Sequence, residues 1–208
     1  MDIEQIKKKI LKYSKDFQGI YKYYSILVPI IQIVDEPHLL FEIRSSELRR
    51  QPGEICFPGG KKELNETFEE TAIRETMEEL NIYESNIEVI GELPPVSTHY
   101  NNVIRPFLAT LNNIDILNIN FNKAEVNNIF TVPLDFFLDN PPLQYYIITE
   151  PNPQEGFPYH LLPNGEDYPW FKGKYHVYFY QYEDHVIWGL TAKTILNLIE
   201  ILKNNKDL

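Results

Sequence analysis

Apolar residues along the chain recur at two spacings, which predict which segments are helices and which are strands. Runs of Ile, Leu, Val and aromatic residues bounded by turn residues are typical of buried strands. Apolar residues recurring every three or four positions are typical of amphipathic helices. Strands are predicted at residues 25–34, 38–43, 55–57, 86–93, 103–110 and 175–180, and helices at 3–13, 66–80, 133–138 and 190–203. This alternation predicts an α/β sandwich with a mixed β-sheet between helices.

The first two predicted strands are joined by turn-forming residues at 35–37, so we expect a β-hairpin. Pro29 lies inside the first strand. Because proline cannot donate a backbone hydrogen bond, it predicts an edge strand or a bulge at this position.

The two long predicted helices each carry one apolar face. Asn81 follows the first and tolerates the left-handed conformation that ends helices, whereas Thr191 is the expected N-cap of the second. The predicted buried faces comprise Phe68, Ala72, Ile73, Met77 and Leu80 in the first helix, and Ile195, Leu198, Ile199 and Leu202 in the second.

The pattern divides the chain into an N-terminal helical extension, residues 1–22, and one domain, residues 23–208. Residues 141–170 hold seven of the 15 prolines among aromatic residues, which predicts an irregular flap or a hairpin excursion within that domain. The flap's aromatic residues could cover a ligand, pack as a cluster of their own or contact a second copy, so a homodimer is left open.

Composition narrows the class of protein. The chain is 43% hydrophobic and 24% charged, as is typical of a soluble globular protein. Its net charge of −11 repels a phosphate backbone, which argues against nucleic acid as the main partner. No stretch approaches the ~20 apolar residues of a membrane span, and no signal peptide is evident. With the single cysteine Cys56 excluding an intrachain disulfide, the cytoplasm is the expected location.

Three glutamates in the helix at 66–80 are the first candidate for chemistry. Glu75, Glu78 and Glu79 share one helix face, where like charges oppose one another unless a cation lies between them. Oxygen-only ligands favour Mg²⁺ or Mn²⁺. A solvated acidic face is the competing interpretation, and the glutamates alone do not decide between the two. Arg74 can pair with Glu70 one turn earlier.

The spacing of the segment 60–82 resembles the Nudix box, which reads G, five residues, E, seven residues, R-E, an aliphatic, any, E-E, any, G, an aliphatic. Every charged position of the box is matched. Thr76 replaces an aliphatic residue and Asn81 replaces Gly, but Thr76 is nearly the size of Val and Asn81 tolerates positive φ. The matching residues are Gly60, Glu66, Arg74, Glu75, Glu78, Glu79 and Ile82.

The resemblance implies a Nudix hydrolase in which glutamates of the box hold divalent cations. By that resemblance Glu75 and Glu79 are expected metal ligands, with Glu78, Glu66 and the backbone carbonyl of Gly60 as further candidates. Glu78 and Arg74 are the expected catalytic residues. The base that activates water stays open between Glu78 and acids of the late flap, which are Glu155, Glu166 and Asp167.

The residues preceding the box resemble the signature of coenzyme A diphosphatases. The match implies hydrolysis of coenzyme A, whose 3′-phosphate suits an arginine fork, although the arginines could instead pair with the acidic helix. The expected substrate-binding residues are Arg44, Arg49, Arg50 and Gly59, with His99 and Tyr100 as weaker candidates. The matching signature positions are Arg44, Ser45, Arg49, Gly53, Phe57, Pro58, Gly59 and Gly60.

Three alternative functions stay open at this point. The first is a Nudix hydrolase acting on ADP-ribose, a dinucleotide or a nucleoside triphosphate. The second is a 5′-RNA pyrophosphohydrolase, against which the charge of −11 argues. The third is a binding module without chemistry, against which the three clustered carboxylates argue.

Overall fold

The computed structural model describes residues 3–11, 22–98 and 101–204. Within these residues no helix combines the length and the apolar character needed to cross a membrane. The elements in chain order are α1 (Ile3–Leu11), β1 (Lys22–Ile33), β2 (Glu36–Arg44), β3 (Ile55–Cys56), β4 (Gly59–Lys61), α2 (Phe68–Leu80), β5 (Ile87–Glu92), β6 (Val96–Ser97), β7 (Asn102–Leu111), β8 (Val126–Pro133), α3 (Leu134–Asp139), β9 (Leu143–Thr149), β10 (Gly173–Tyr182), β11 (His185–Trp188) and α4 (Gly189–Lys203).

The larger sheet is mixed, as predicted. Its central order is β3-β2-β1-β7-β5, with β4 on β1, β6 on β7 and β8 on β2. Strands β1 and β7 run parallel and the remaining pairs antiparallel. The predicted hairpin joins β1 to β2, but its turn lies at Val34 and Asp35, both at positive φ, so Glu36 and Pro37 belong to β2.

The prediction for Pro29 is wrong, because β1 lies inside the sheet between β7 and the strands β2 and β4. Pairing with β4 ends at Ile26 and pairing with β2 begins at Ile30. Pro29 falls between these two ladders, where a missing N–H breaks neither of them.

The sheet is covered on both faces, which confirms the predicted sandwich. On one face Leu27, Leu40 and Phe107 pack with Ala72 and Leu80 of α2. The core on the other face holds α4 and residues of a smaller sheet, and comprises Val28, Leu39, Phe41, Phe57, Leu93, Val132, Phe137, Tyr180, Ile187, Ala192, Ile195, Leu198 and Ile199.

Of the two interpretations of residues 141–170, the structure favours the hairpin excursion over a flap that is irregular throughout. Residues 143–149 form strand β9, which pairs with β10 in the smaller sheet of order β11-β10-β9. Only residues 150–172 are irregular, with short 3-10 turns. The aromatic residues there pack on one another, with centroids of Phe157 and Tyr159 5.0 Å apart and of Tyr168 and Trp170 5.0 Å apart.

Helix α2 is rotated from the predicted orientation. Ile73 and Met77 are only partly buried, whereas Thr76 and Glu79 are buried against the sheet. The Thr76 hydroxyl donates to the carbonyl of Ala72 at 2.7 Å, so a polar residue is satisfied at this packed position. The predicted left-handed cap is confirmed, since Asn81 has φ 51° and ψ 47°.

The last helix differs from its prediction at both ends. Its N-cap is Trp188, and the hydroxyl of Thr191 donates instead to the carbonyl of Ile55 at 3.1 Å, tying the helix to β3. Leu202, predicted to be buried, is 45% exposed because α4 extends beyond the core at its end. Residues 1–2 and 12–21 of the predicted N-terminal extension lie outside the described residues.

Replacing Asn81 tests the cap that ends α2. Asn81→Ala should lower the free energy of unfolding by about 2 kcal/mol, because alanine resists the left-handed conformation and the 2.6 Å bond from Asn81 Nδ2 to the carbonyl of Asn120 is lost. Asn81→Gly loses only the bond and should cost about 1 kcal/mol. Urea unfolding measures both. Equal losses would contradict a conformational role for Asn81.

Candidate active site

The segment between β2 and α2 is held against β1 by Gly59. Gly59 has φ 155°, and a Cβ there would overlap the carbonyl of Ser25 and the backbone of Ile26. Its N–H donates to Glu79 Oε2 at 2.8 Å. Glycine at this position therefore lets β4 approach β1 closely while the same residue binds a carboxylate of α2.

Gly60 allows a second close approach. A Cβ on Gly60 would overlap the carboxylate of Glu75, so the side chain of Glu75 packs directly on the backbone of β4. The two glycines thus place two glutamates of α2 against one short strand. The carboxylates that approach this pair of glycines are those of Glu75 and Glu79.

Arg74 joins the box to the loop that precedes it. Its guanidinium lies 2.9 Å from Glu66 Oε1, 2.9 Å from Glu75 Oε1 and 3.5 Å from Glu78 Oε2. The expected pair with Glu70 is wrong, because Glu70 forms a capping box with Thr67 at the start of α2. Arg74 therefore neutralises the cluster from one side.

Glu66 is fully engaged within the protein. Its Oε1 accepts from the N–H of Glu63 at 2.7 Å and from the Thr71 hydroxyl at 2.8 Å, in addition to Arg74. The hydrogen bonds from Arg74, followed by that from Glu63, lower the pKa of Glu66 to about 2. This geometry orders the loop before α2 and leaves Glu66 few lone pairs for a metal.

Glu79 is the most perturbed glutamate of the box. It is 4% exposed, and burial raises its pKa to about 8, with repulsion from Glu75 and Glu125 adding to the effect and the Gly59 N–H opposing it. Burial also raises the pKa of Glu75, against the effect of Arg74. Glu78 differs, because its side chain is 58% exposed and points to solvent. Negative charge on this side of α2 is thus only partly compensated.

Two acidic residues that the sequence analysis missed also face this cluster. Glu42 on β2 is 1% exposed, and within the described part of the chain its Oε1 has no hydrogen-bond partner. Burial and then Glu79 raise its pKa well above the usual value. The second missed residue is Glu125, whose charge acts on Glu42 and Glu79. A charged residue inside the apolar strand 38–43 could have indicated Glu42 from the sequence. Glu125 lies in an exposed loop, where no sequence pattern indicates a role.

The structure separates the three candidate arginines. Arg44 is partly buried beside the carboxylates, and its guanidinium favours the charged forms of Glu42 and Glu79. Its Nε is buried and has no partner among the described residues. Arg49 and Arg50 are exposed and form no ion pair with the part of the chain that is described. They remain available to an anion.

Other sequence candidates fall outside this group. Glu155, Glu166 and Asp167 are exposed in the irregular segment 150–172. His99 and Tyr100 lie outside the described residues. Burial, and then Glu42, raise the pKa of the Cys56 thiol, which keeps it protonated and agrees with a structural role.

The donor set fits a hard divalent cation. Within the described ranges, no three His, Cys, Asp or Glu side chains already converge as a ready-made metal group. The buried carboxylates offer oxygen donors only, burial raises the pKa values of Glu75 and Glu79, and Glu42 Oε1 has no hydrogen-bond partner among the described residues. Glu75 and Glu79 are the side chains best placed to hold such an ion.

The sequence also resembles known proteins. The profile of the NUDIX domain matches residues 25–147, more than half of the chain. A peroxisomal coenzyme A diphosphatase of Mus musculus, NUDT7, is 37% identical over 128 residues, covering 59% of this chain and 51% of that protein. The chain thus spans about half the length of the mouse relative. The uncharacterized Nudix hydrolase NudL of Photorhabdus laumondii is 33% identical over 178 residues, covering 85% of this chain and 82% of that protein.

The pKa of Glu79 predicts a pH-dependent stability in metal-free buffer. The folded-state pKa of about 8 exceeds the unfolded value of 4.5, so the contribution of Glu79 is fully present below pH 4.5 and is lost as pH rises through 8. Glu79→Gln keeps an acceptor for the Gly59 N–H and removes the charge. At pH 8 it should raise the free energy of unfolding by more than about 1 kcal/mol.

Chemical unfolding at pH 6 and pH 8 in the presence of a chelator measures this effect. Glu78→Gln, on the same helix but exposed, is the matched control and should change stability little. If Glu79→Gln and the parent protein lost stability equally between the two pH values, the buried-charge interpretation of Glu79 would be wrong.

Proposed function

The chain belongs to the Nudix hydrolase family, and on this premise we propose that it hydrolyses the diphosphate bond of coenzyme A, or of an acyl or oxidised form of it. Water attacks one phosphorus of the diphosphate, and the bond from that phosphorus to the bridging oxygen breaks. The products are 3′,5′-ADP and the corresponding 4′-phosphopantetheine. The expected location is the cytoplasm.

One observation carries the choice of substrate. The residues that resemble the coenzyme A diphosphatase signature end with Gly59 and Gly60, and the N–H of Gly59 binds the buried carboxylate of Glu79. The signature segment and the acidic helix are therefore parts of one site, and a substrate held by the first has its diphosphate beside the second. The mouse relative, a coenzyme A diphosphatase, supports the same substrate over the 59% of this chain that the match covers.

A divalent cation is part of this proposal, either Mg²⁺ or Mn²⁺. Glu75 and Glu79 would hold it, with Glu78 or the carbonyl of Gly60 as further ligands. When bound, it neutralises charge on the diphosphate oxygens and lowers the pKa of a bound water. Glu66 is a weaker ligand in this proposal, because its oxygens are occupied by Glu63, Thr71 and Arg74.

The chain's own residues then have separate tasks. Arg74 fixes the carboxylate of Glu75 through its 2.9 Å contact, so that the ligand is oriented before substrate arrives. Glu78 is exposed toward solvent and can accept the proton of the attacking water. Arg44 lies beside the buried carboxylates, and Arg49 and Arg50 extend from the exposed loop. Their planar forks suit phosphate oxygens of coenzyme A.

A product assay tests the reaction. Coenzyme A and ADP-ribose are incubated side by side with Mg²⁺, with Mn²⁺ or with a chelator. We expect metal-dependent release of 3′,5′-ADP, and a fall in kcat of about 100-fold or more in Glu79→Gln, because several kcal/mol of charge stabilisation are lost. Preferential cleavage of ADP-ribose would leave the family assignment intact and refute coenzyme A as the substrate.

A second assay tests the exposed arginines. Arg49→Ala should raise KM for coenzyme A about tenfold or more, because a charge-assisted hydrogen bond contributes about 1.5–3 kcal/mol. It should change KM for dephospho-coenzyme A, which lacks the 3′-phosphate, much less. Lys172→Ala is the control, since Lys172 is exposed and pairs with Glu150 in the segment 150–172. An equal rise in KM for both substrates would contradict recognition of the 3′-phosphate by Arg49.

A further inference from the structure

The smaller sheet presents one face to the core and one to solvent. Tyr178, Tyr180, Tyr182 and Ile187 pack toward the core that holds α4. The opposite side is formed by the odd-numbered residues of β9 and β10 together with Val186 and Trp188, and is called the outer sheet face below. The pairing of Tyr145 with Val177 and of Phe179 with Trp188 places these residues side by side on it.

The outer sheet face carries no charged residue at any of its positions. The opposite side of the same strands does carry charge where it is uncovered, since Lys174 lies over the Tyr146 ring at 4.5 Å. Where one side of an antiparallel sheet faces solvent, the residues on that side are ordinarily polar. A face that is uncharged and mostly apolar or aromatic, with charge confined to its reverse side, has the composition of an interface core.

The apolar side chains of this face are substantially exposed. Leu143 and Tyr145 are 61% exposed, Ile147 56%, Val186 49% and Trp188 42%. A large side chain has a total surface of about 200 Å². Multiplying by these exposed fractions, and adding the partly buried residues between them, gives the face roughly 600 Å² of accessible surface. Burial of that area on each of two copies gives about 1,200 Å², the lower limit for a specific interface.

The surface is also shaped for packing. The rings of Phe179 and Trp188 stack at 5.9 Å, and Tyr145 meets Phe179 edge to face at 6.0 Å. A groove of about 410 Å³ lies between these rings and the neighbouring aliphatic side chains. Projecting side chains such as Tyr145 on one copy can enter the groove of another, which is how two sheets interdigitate face to face.

We propose that the outer sheet face is the contact between two copies of this chain in a two-fold symmetric dimer. The same patch serves both partners, as two-fold symmetry requires. Charge favours this choice of surface, because a chain of net charge −11 repels its own copies and an uncharged face lets them meet with least repulsion. The small area makes the dimer one that dissociates on dilution.

Neighbouring isoleucines on β9 provide a matched pair of variants. Ile147 lies on the outer sheet face and Ile148 on its reverse, and their exposures are 56% and 58%. Ile147→Glu and Ile148→Glu therefore make the same chemical change on the same strand at the same exposure. Only the first places charge in the proposed interface.

Sedimentation velocity of the full chain over a range of concentrations is the measurement. The parent protein should approach twice its mass of 24.5 kDa as concentration rises, Ile147→Glu should stay monomeric, and Ile148→Glu should behave as the parent. Tyr145→Ser is a second variant on the face, and it should weaken the dimer without introducing charge. Circular dichroism melts establish that each variant is folded.

Two outcomes would overturn the proposal. A parent protein that stays monomeric at every concentration would mean that the face is covered otherwise, by another segment of the chain or by an apolar ligand. A dimer that survives Ile147→Glu and Tyr145→Ser would mean that the copies meet elsewhere. Neither outcome bears on coenzyme A hydrolysis, because the proposed ligands Glu75 and Glu79 lie on α2.

Discussion

The hydrogen bond from the Gly59 N–H to the buried carboxylate of Glu79 is the contact on which the site depends. It joins the short strand β4 to helix α2, to which the Arg74 guanidinium adds a longer hydrogen bond to the carbonyl of Lys61 at 3.4 Å. Glycine is required at 59 because β1 passes too close for a side chain. The same bond is the largest stabilising influence on the Glu79 carboxylate, which burial otherwise destabilises. The loop and the acidic helix are therefore positioned together.

Around this contact, negative charge is concentrated and only partly neutralised. Arg74 holds Glu66 and Glu75 on the solvent side of the cluster, while Glu42 lies beneath it with an unpartnered oxygen. A protein with no ligand to bind would gain stability from removing buried charge. Retaining three carboxylates in partly buried positions makes physical sense for a site that a cation completes, as members of the Nudix family have.

The sandwich determines what surrounds the site. Helix α2 covers one face of the larger sheet, and α4 with the smaller sheet covers the other. Thr191 connects α4 to β3 through the carbonyl of Ile55, so the signature segment is supported from both faces of the sheet. The smaller sheet gives this core additional apolar cover while exposing an uncharged face of its own. The proposed catalytic site and the proposed dimer surface are thereby carried by different elements.

The sequence by itself determined the type of most elements, the sandwich and the acidic helix, because these follow from local periodicity and from residues at fixed spacing. It also predicted correctly that Asn81 ends α2 in the left-handed conformation and that Thr76 fits a packed position of the helix. Tolerance of positive φ and side-chain size are properties of single residues. Strand β9 was missed, because its pairing with β10 depends on residues about 30 positions away.

The rotation of α2, the pairing of Arg74 with Glu66, and the position of Glu42 were decided only by tertiary structure. Each depends on which groups of distant segments lie close together. Arg74 reaches Glu66 in the loop before α2 as well as glutamates of its own helix, and Glu42 meets Glu79 across the gap between sheet and helix. Spacing along a chain identifies side chains that can act together. Burial and contact across elements decide which of them carry uncompensated charge.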